Sequence, residues 1–357
     1  MARIYVCHTY YNVYVSILRE QNFQKSNREK GTLALSLMST DFKDLKSRIE
    51  KSNLFTEVIE LNEVHPRFFE EKFKYNLEKK SWLFKTIIGG LFFWRYVAIQ
   101  EEKYLNIDFS NYEDIFIYCD SDPIGQYLNY KKISYHAVED GLDSCRINLE
   151  KEHSRFFYIR LLFARLGFVF INNGYSNYAS DIEVNNKEGI HAFGRKVTEV
   201  SRKELLNQLT NKENQLIYDI FFLGNTEKKF ENDKKNILVM TQPLCTSEKR
   251  IEMYRDIIQN HGNGYNIYIK PHPIDNADYE GEFPDCIVLE RFFPIEILNF
   301  KCDIEIEKII AIYSTSLDEL KFVKEKIRLG ISFLDKYEDP ILHKYLVDAE
   351  KKMKLIR

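Results

Sequence analysis

Residues Tyr265–Pro273 read YNIYIKPHP. Asn266, Tyr268 and Lys270 alternate with Ile267 and Ile269, the period of two that a β-strand gives its side chains. Pro271 and Pro273 lack the N–H that would continue a ladder, and they fix φ on either side of His272. The imidazole therefore stands on a stiff loop just beyond a strand's carboxyl end, the edge of an α/β sheet where ligands collect. A histidine held there suits a general acid, and equally a structural role; its neighbours decide.

Around this strand the second half of the chain alternates. Strands are expected at Asn236–Thr241, Cys286–Glu290, Ile309–Tyr313 and Ile327–Ser332, with helices at Ser247–Asn260, Pro294–Asn299, Ser316–Val323 and Pro340–Lys354. The first half repeats the pattern, with strands at Arg3–Thr9, Thr32–Met38, Glu57–Leu61, Asp114–Cys119 and Ile133–Val138. Its helices fall at Tyr11–Gln21, Asp44–Ser52, a long stretch Phe69–Leu105 broken near Gly89-Gly90, Asp122–Tyr130 and Ser201–Gln215. Strands and helices in alternation specify βαβ units and parallel sheets. The charge run Thr226–Asn236 (TEKKFENDKKN) reads as a linker between domains 1–230 and 231–357. The expected fold is α/β, two Rossmann-like domains with parallel sheets facing across a cleft.

A chain of 357 residues, 44% hydrophobic and 29% charged, is long enough for two packed cores. A net charge of −3 with mixed signs gives no case for nucleic-acid binding. The six cysteines, Cys7, Cys119, Cys145, Cys245, Cys286 and Cys302, form no CxxC pair. Free thiols in a reducing, cytoplasmic setting are expected rather than a disulfide framework or zinc site. The N-terminus MARIYVCHTYYNVYV is read as a first strand and not a signal peptide, and the apolar run Thr86–Trp94 is shorter than the about 20 residues a spanning helix needs. His153–Ile171 is aromatic and apolar, with Arg155, Arg160 and Arg165 five apart. A core helix with snorkelling arginines is expected there, against the alternative of a helix lying on an anionic membrane.

Three polar features follow the second-half strands. Lys270 and His272 come first. Next is Phe293-Pro294-Ile295-Glu296, a carboxylate in the first turn of a helix begun by proline. Glu296 suits either a cap of its own helix or an acceptor for the vicinal hydroxyls of a ribose. Third is Tyr313-Ser314-Thr315-Ser316, whose hydroxyls and N–H groups at a helix start suit a phosphate, or a plain N-cap at Ser316. In the first half, Glu139-Asp140-Gly141 ends a strand, and the glycine permits a tight turn that exposes Asp140. A carboxylate and a histidine make a base and acid pair for a displacement; an Asp-Gly turn alone is the plainer reading.

Glu139-Asp140-Gly141, Met240-Thr241-Gln242-Pro243, Lys270-Pro271-His272-Pro273, Phe293-Pro294-Ile295-Glu296 and the cluster Ser314–Ser316, in this order, resemble glycosyltransferase family 52, which includes lipooligosaccharide sialyltransferases. The resemblance spans about Asn236 to Lys336 and, in the first half, the Glu139–Gly141 turn. It implies a GT-B-like fold and inverting transfer of sialic acid from CMP-sialic acid to a hydroxyl of a galactoside or sialoside. By this resemblance Asp140 is the general base and His272 the acid or phosphate stabiliser. Lys270, Pro273 and Glu296 are expected at the nucleotide, Ser314, Thr315 and Ser316 at its phosphate, and Glu139 and Gly141 at the acceptor-side turn. No cofactor or metal is expected, because fixed donors can stabilise a single departing phosphate. The implied partners are CMP-sialic acid and a lipooligosaccharide or capsule glycan. Peripheral contact with the inner membrane and a homodimer are left open.

Glu248, just after the first strand of the second half, is the alternative base. Asp120-Ser121-Asp122 after the strand DIFIYC also resembles the DxD of metal-dependent GT-A glycosyltransferases. A non-catalytic CMP-binding scaffold of polysaccharide assembly is the reading from another class.

Overall fold

The computed structural model describes residues 2–26, 28–68, 89–140, 156–188, 190, 192–221, 235–300, 305–314, 316–344 and 347, the side chains of 89–92, 318 and 319 excepted. The chain divides into two compact units, Met1–Thr210 and Asn211–Arg357. The boundary lies earlier than the expected 230/231, so the helix Asn211–Phe221 belongs with the second unit. Most of the expected linker Thr226–Asn236 lies outside the described residues.

The first unit is built on β1 (Arg3–Cys7), β2 (Thr32–Ser36), β3 (Glu57–Leu61), β4 (Asp114–Ile117), β5 (Tyr135–Val138), β6 (Ala179–Val184) and β7 (Val197–Glu199). These form one seven-stranded sheet in the order β3-β2-β1-β4-β5-β6-β7. Every pairing is parallel. All of β1 and β2 is buried, as befits central parallel strands covered on both faces. The chain starts in the middle, runs outward to β3, then returns to the other side of β1, which places a topological switch point between β1 and β4. In open α/β sheets this is where ligands bind.

Two local devices set that edge. Helix α1 (Tyr10–Lys25) opens with a capping box: the Thr9 hydroxyl accepts from Asn12 N, and the Asn12 side chain accepts from Thr9 N. The helix is tied to β1 by a buried fork from Arg3 Nε and Nη2 to Glu20, at 2.9 and 3.0 Å. Helices α2 (Leu45–Ser52) and α3 (Gly89–Glu101) follow. Helix α4 (Pro123–Lys131) starts with proline behind Asp122, and its Gly125 presses on the preceding turn. A Cβ there would meet Asp120 Cα at 2.4 Å, so only glycine permits the approach. Helix α5 (Phe157–Arg165) and helix α6 (Arg202–Asn207) complete the unit.

The second unit contains helix α7 (Asn211–Phe221) and an all-parallel five-stranded sheet, order β10-β9-β8-β11-β12. Its strands are β8 (Asn236–Met240), β9 (Asn266–Lys270), β10 (Ile287–Val288), β11 (Ile306–Ala311) and β12 (Val323–Arg328). Val239, Ile269 and Ile310 from the three central strands pack with Met253, Tyr254 and Ile257 of helix α8 (Ser247–His261). The switch point lies between β8 and β11.

Several expected elements shift. Strand β6 and the edge strand β7 had no counterpart in the expected order. Ser201–Gln215 divides between α6 and α7, and the strand expected at Ile327–Ser332 begins earlier, as β12 at Val323. The helix expected at Ser316–Val323 is a short 3-10 turn at Ser316–Glu319, and that at Pro294–Asn299 a 3-10 turn at Ile295–Phe300. The stretch 69–88 lies outside the described residues. Among those described, Cys7, Cys119, Cys245 and Cys286 are free, and no helix is long and apolar enough to cross a membrane.

Candidate active site

In the first unit, the carboxyl ends of β1, β3, β4 and β5 bring together His8, Asn12, Glu63, Asp122 and Asp140. Asn12 is fully buried. Its Oδ1 accepts from His8 N and Thr9 N, both at 3.1 Å, so its amide nitrogen is left to donate to Asp140 Oδ1 at 3.2 Å. His8 Nε2 lies 2.5 Å from Glu63 Oε2 and 3.6 Å from Asp122 Oδ2. Burial disfavours the His8 imidazolium, but Glu63, then Asp122 and Asp140, outweigh it and raise its pKa to about 9. Glu63 also accepts from Ser36 Oγ at 2.5 Å and Ile124 N at 3.0 Å. Burial, with the charges of Glu63 and Asp140, raises the Asp122 carboxyl to about 6, against the pull of His8.

Asp140 is thus half-buried on the switch-point edge, one oxygen held by a fixed amide. Glu139 turns toward the neighbouring strand end: its carboxylate accepts from Asn185 N at 2.7 Å and lies 3.7 Å from Arg202 Nη1. Gly141 lies outside the described residues.

Asp120 and Asp122 do not converge as a DxD pair would. Asp120 is buried, with Oδ2 accepting from Tyr135 OH at 2.7 Å and Gly174 N at 2.9 Å, while Asp122 sits beside His8. Among the described residues, the side chains gathered closely enough for a metal are His136, Asp181 and Glu183. They already have protein partners: His136 Nδ1 is 2.7 Å from Asp181, Thr198 donates to Asp181, and Arg19 pairs with Glu183.

In the second unit, the loop after β9 carries His272 on the surface. His272 N donates to Thr241 Oγ1 at 3.1 Å, and that hydroxyl donates to Asp275 Oδ2 at 2.7 Å. Asp275 is fully buried and also takes Tyr279 OH at 2.7 Å, Ala277 N at 3.1 Å and the Arg250 guanidinium. His272 Nδ1 accepts from Ile274 N at 3.4 Å, which assigns the proton of the neutral ring to Nε2. The crowded base of the ring, then the cations Lys270 and Arg250, hold its pKa below the ordinary histidine value despite Asp275.

Lys270 and Glu296 are not at the surface. Lys270 is 5% exposed, donates from Nζ to Arg291 O at 2.9 Å and Pro271 O at 3.1 Å, and lies over the Phe293 ring. Burial lowers its pKa to about 7, with Glu296 opposing. Glu296 is 1% exposed in the 3-10 turn. Both therefore brace the loops from inside. Pro273 is exposed beside His272. Gln242, past β8, joins the loop past β11: its Oε1 accepts from Tyr313 N at 2.6 Å and its amide donates to Tyr313 O. That clamp places half-buried Ser314 and Ser316 on the switch-point edge; Thr315 lies outside the described residues. Glu248 sits in the first turn of α8, where backbone N–H and the Thr246 hydroxyl hold its pKa below the usual range.

Asp140 and His272 thus stand at the carboxyl ends of different sheets, the Asp140 carboxylate held by Asn12 and the His272 loop by Thr241. The family model described as glycosyltransferase family 52 matches residues 90–336. The chain belongs to that family. An uncharacterized protein of Haemophilus influenzae is 25% identical over 222 residues, 60% of this chain and 68% of that protein. Among solved structures, an α/β-galactoside α-2,3-sialyltransferase of Photobacterium phosphoreum is 11% identical, with TM-score 0.56 over 100% of this chain and 96% of that one. The GT-B domain of a Photobacterium damselae sialyltransferase is 15% identical, with TM-score 0.55 over 99% and 96% of the two chains. A Photobacterium 2,6-sialyltransferase crystallised with CMP and lactose is 11% identical, with TM-score 0.58, over 100% of this chain and 76% of that one. These likenesses establish a GT-B-like fold for this family 52 glycosyltransferase and set aside the GT-A alternative.

His8, Asn12, Glu63, Asp275 and Arg250 were not singled out in the sequence. The available signal was position: His8 is the first residue past β1, and Glu63 stands just past β3.

Proposed function

We propose that this family 52 member is an inverting sialyltransferase moving sialic acid from CMP-sialic acid to a galactoside or sialoside hydroxyl of a cell-surface glycan. The reading rests on family membership, on the sialyltransferase fold, and above all on one observation: Asp140 and His272 stand at the carboxyl ends of different sheets, the Asp140 carboxylate held by buried Asn12 and the His272 loop by Thr241 and buried Asp275.

In the proposed reaction the acceptor hydroxyl gives its proton to Asp140 as its oxygen bonds to the anomeric carbon of sialic acid. The bond from that carbon to the phosphate oxygen breaks, and the electron pair leaves with CMP. His272, neutral with its proton on Nε2, donates a hydrogen bond to the departing phosphate and keeps that proton, so that CMP leaves as the dianion, and Ser314, Thr315 and Ser316 supply further donors. A preorganised donor set of this kind stabilises charge where it develops and needs no metal for a single phosphate. Asn12 orients Asp140, and Thr241 and Asp275 orient His272. Lys270, Glu296 and Pro273 shape the nucleotide loop, with Glu139 and Gly141 forming the acceptor-side turn. Asp140 is preferred over Glu248 as base because Glu248 is engaged by its own helix start.

The test is CMP release from CMP-sialic acid, with EDTA present, against a panel of galactosides and sialosides. Acceptor-dependent release is expected. CMP binding with no release on any acceptor would favour the scaffold, and turnover abolished by EDTA and restored by manganese would favour a metal-dependent mechanism.

A further inference from the structure

The loop past β11 is held at two consecutive residues. Gln242 clamps both backbone groups of Tyr313, and Arg328 Nη2 donates to Ser314 O at 2.9 Å. Arg328 is the last residue of β12, in register with Ala311 of β11. The two chains stay paired beyond it, with Leu329 N and Gly330 N donating to Ala311 O and Ile312 O. Ile327 packs on the core of the second unit, so strand alternation turns Arg328 to the opposite face. From that strand end its long side chain reaches along the edge to half-buried Ser314.

A carbonyl oxygen needs no cation, and Ser314 O takes only one of a guanidinium's N–H donors. The proposed reaction does need a cation. The phosphate of CMP-sialic acid is a diester with a single negative charge, and CMP leaves as the dianion. His272 meets that added charge as a neutral ring, since its pKa lies below the ordinary histidine value. Other cations of this unit are directed elsewhere. Lys270 Nζ donates to carbonyls inside its loop, Arg250 pairs with buried Asp275, and Arg291 stands past β10, at the other end of the strand order. Arg328 is a permanently charged group in direct contact with the expected phosphate loop.

We propose that Arg328 binds the phosphate of the donor nucleotide and pairs with the dianion as it departs, while the Ser314 carbonyl fixes the plane of the guanidinium. This assignment rests on the CMP-sialic acid reading above and adds the counter-charge that a metal ion supplies in other phosphate sites. An arginine suits the task, because its planar fork matches two phosphate oxygens and its charge does not vary with pH in the working range.

The test is calorimetry of the full chain with three ligands: CMP, its phosphate methyl ester, which keeps the single charge of the donor, and cytidine. The wild type should bind CMP most tightly and cytidine least. Arg328→Met should weaken CMP about tenfold or more, leave cytidine unchanged and abolish the preference for CMP over the methyl ester. Arg328→Gln, a second neutral variant, should do the same, and Arg328→Lys should retain much of the preference. Because β12 is an edge strand and Arg328 its last residue, these changes leave the ladder in place, and cytidine binding at wild-type strength shows a variant to be folded. A folded neutral variant that binds CMP like the wild type, or that still prefers CMP to its methyl ester, would overturn the role of Arg328 and leave the sialyltransferase reading standing. A wild type that binds none of the three would overturn the nucleotide site itself, and this assignment with it.

Discussion

The side-chain amide of Asn12 donates to Asp140 Oδ1 at 3.2 Å and cannot turn away, because its oxygen is held by His8 N and Thr9 N. Asn12→Asp keeps an acceptor for those two N–H groups, removes the donor to Asp140 and adds a like charge. Turnover should fall about tenfold or more, and the acid limb of the pH–rate profile should move to higher pH, since a neighbouring carboxylate disfavours a second ionisation. CMP affinity, measured by calorimetry, should stay unchanged. An unaltered profile would remove Asn12 from the positioning of the base.

Asp275 is the buried hub of the His272 loop. Replacing it with Asn leaves the Arg250 guanidinium without its carboxylate, a loss of about 3–5 kcal/mol for a broken buried pair. The thermal midpoint should drop by roughly 10 °C. Thr241→Val removes only the hydroxyl that bridges His272 N to Asp275, so it should cost less stability, about 1–3 kcal/mol, yet still depress turnover. Melting curves and rates on the two variants separate the structural from the positioning role.

His8 gives a pH signature to stability. Its folded pKa is raised to about 9 from 6.5, so its contribution is fully present below about pH 6.5 and is lost as pH rises through about 9. His8→Gln should therefore melt well below the wild type at pH 6, and the gap should close by about pH 10. Lys270 contributes with the opposite slope: its folded pKa is lowered to about 7 from 10.5, so its penalty is relieved as pH rises between those values. The paired comparison cancels it. A gap that stays constant with pH would show that His8 is not charged in the folded protein.

The buried apolar strands were legible because their residues carry the signal themselves: β1, β2, β8 and β9 fall where alternation or apolar runs put them. Strand β6, ASDIEV, was not, because buried Asp181 and Glu183 make it read as a polar loop. Their compensation comes from His136 and Arg19, far away in sequence. The site divides along the same line. Asp140 and His272 stand beside glycine and prolines that announce a loop, whereas the groups that hold them are revealed only by contacts across the sheet edge. Lys270 and Glu296 face inward, which residue type and spacing do not foretell, since they do not say which way a side chain at a strand end turns.

The central claim is tested most directly by the rate of galactoside-dependent CMP release from CMP-sialic acid by the wild type, Asp140→Asn and His272→Ala. The account predicts transfer by the wild type and a loss of about two orders of magnitude or more in each variant, with folds intact and CMP still bound by Asp140→Asn. Wild-type rates in either folded variant would contradict it.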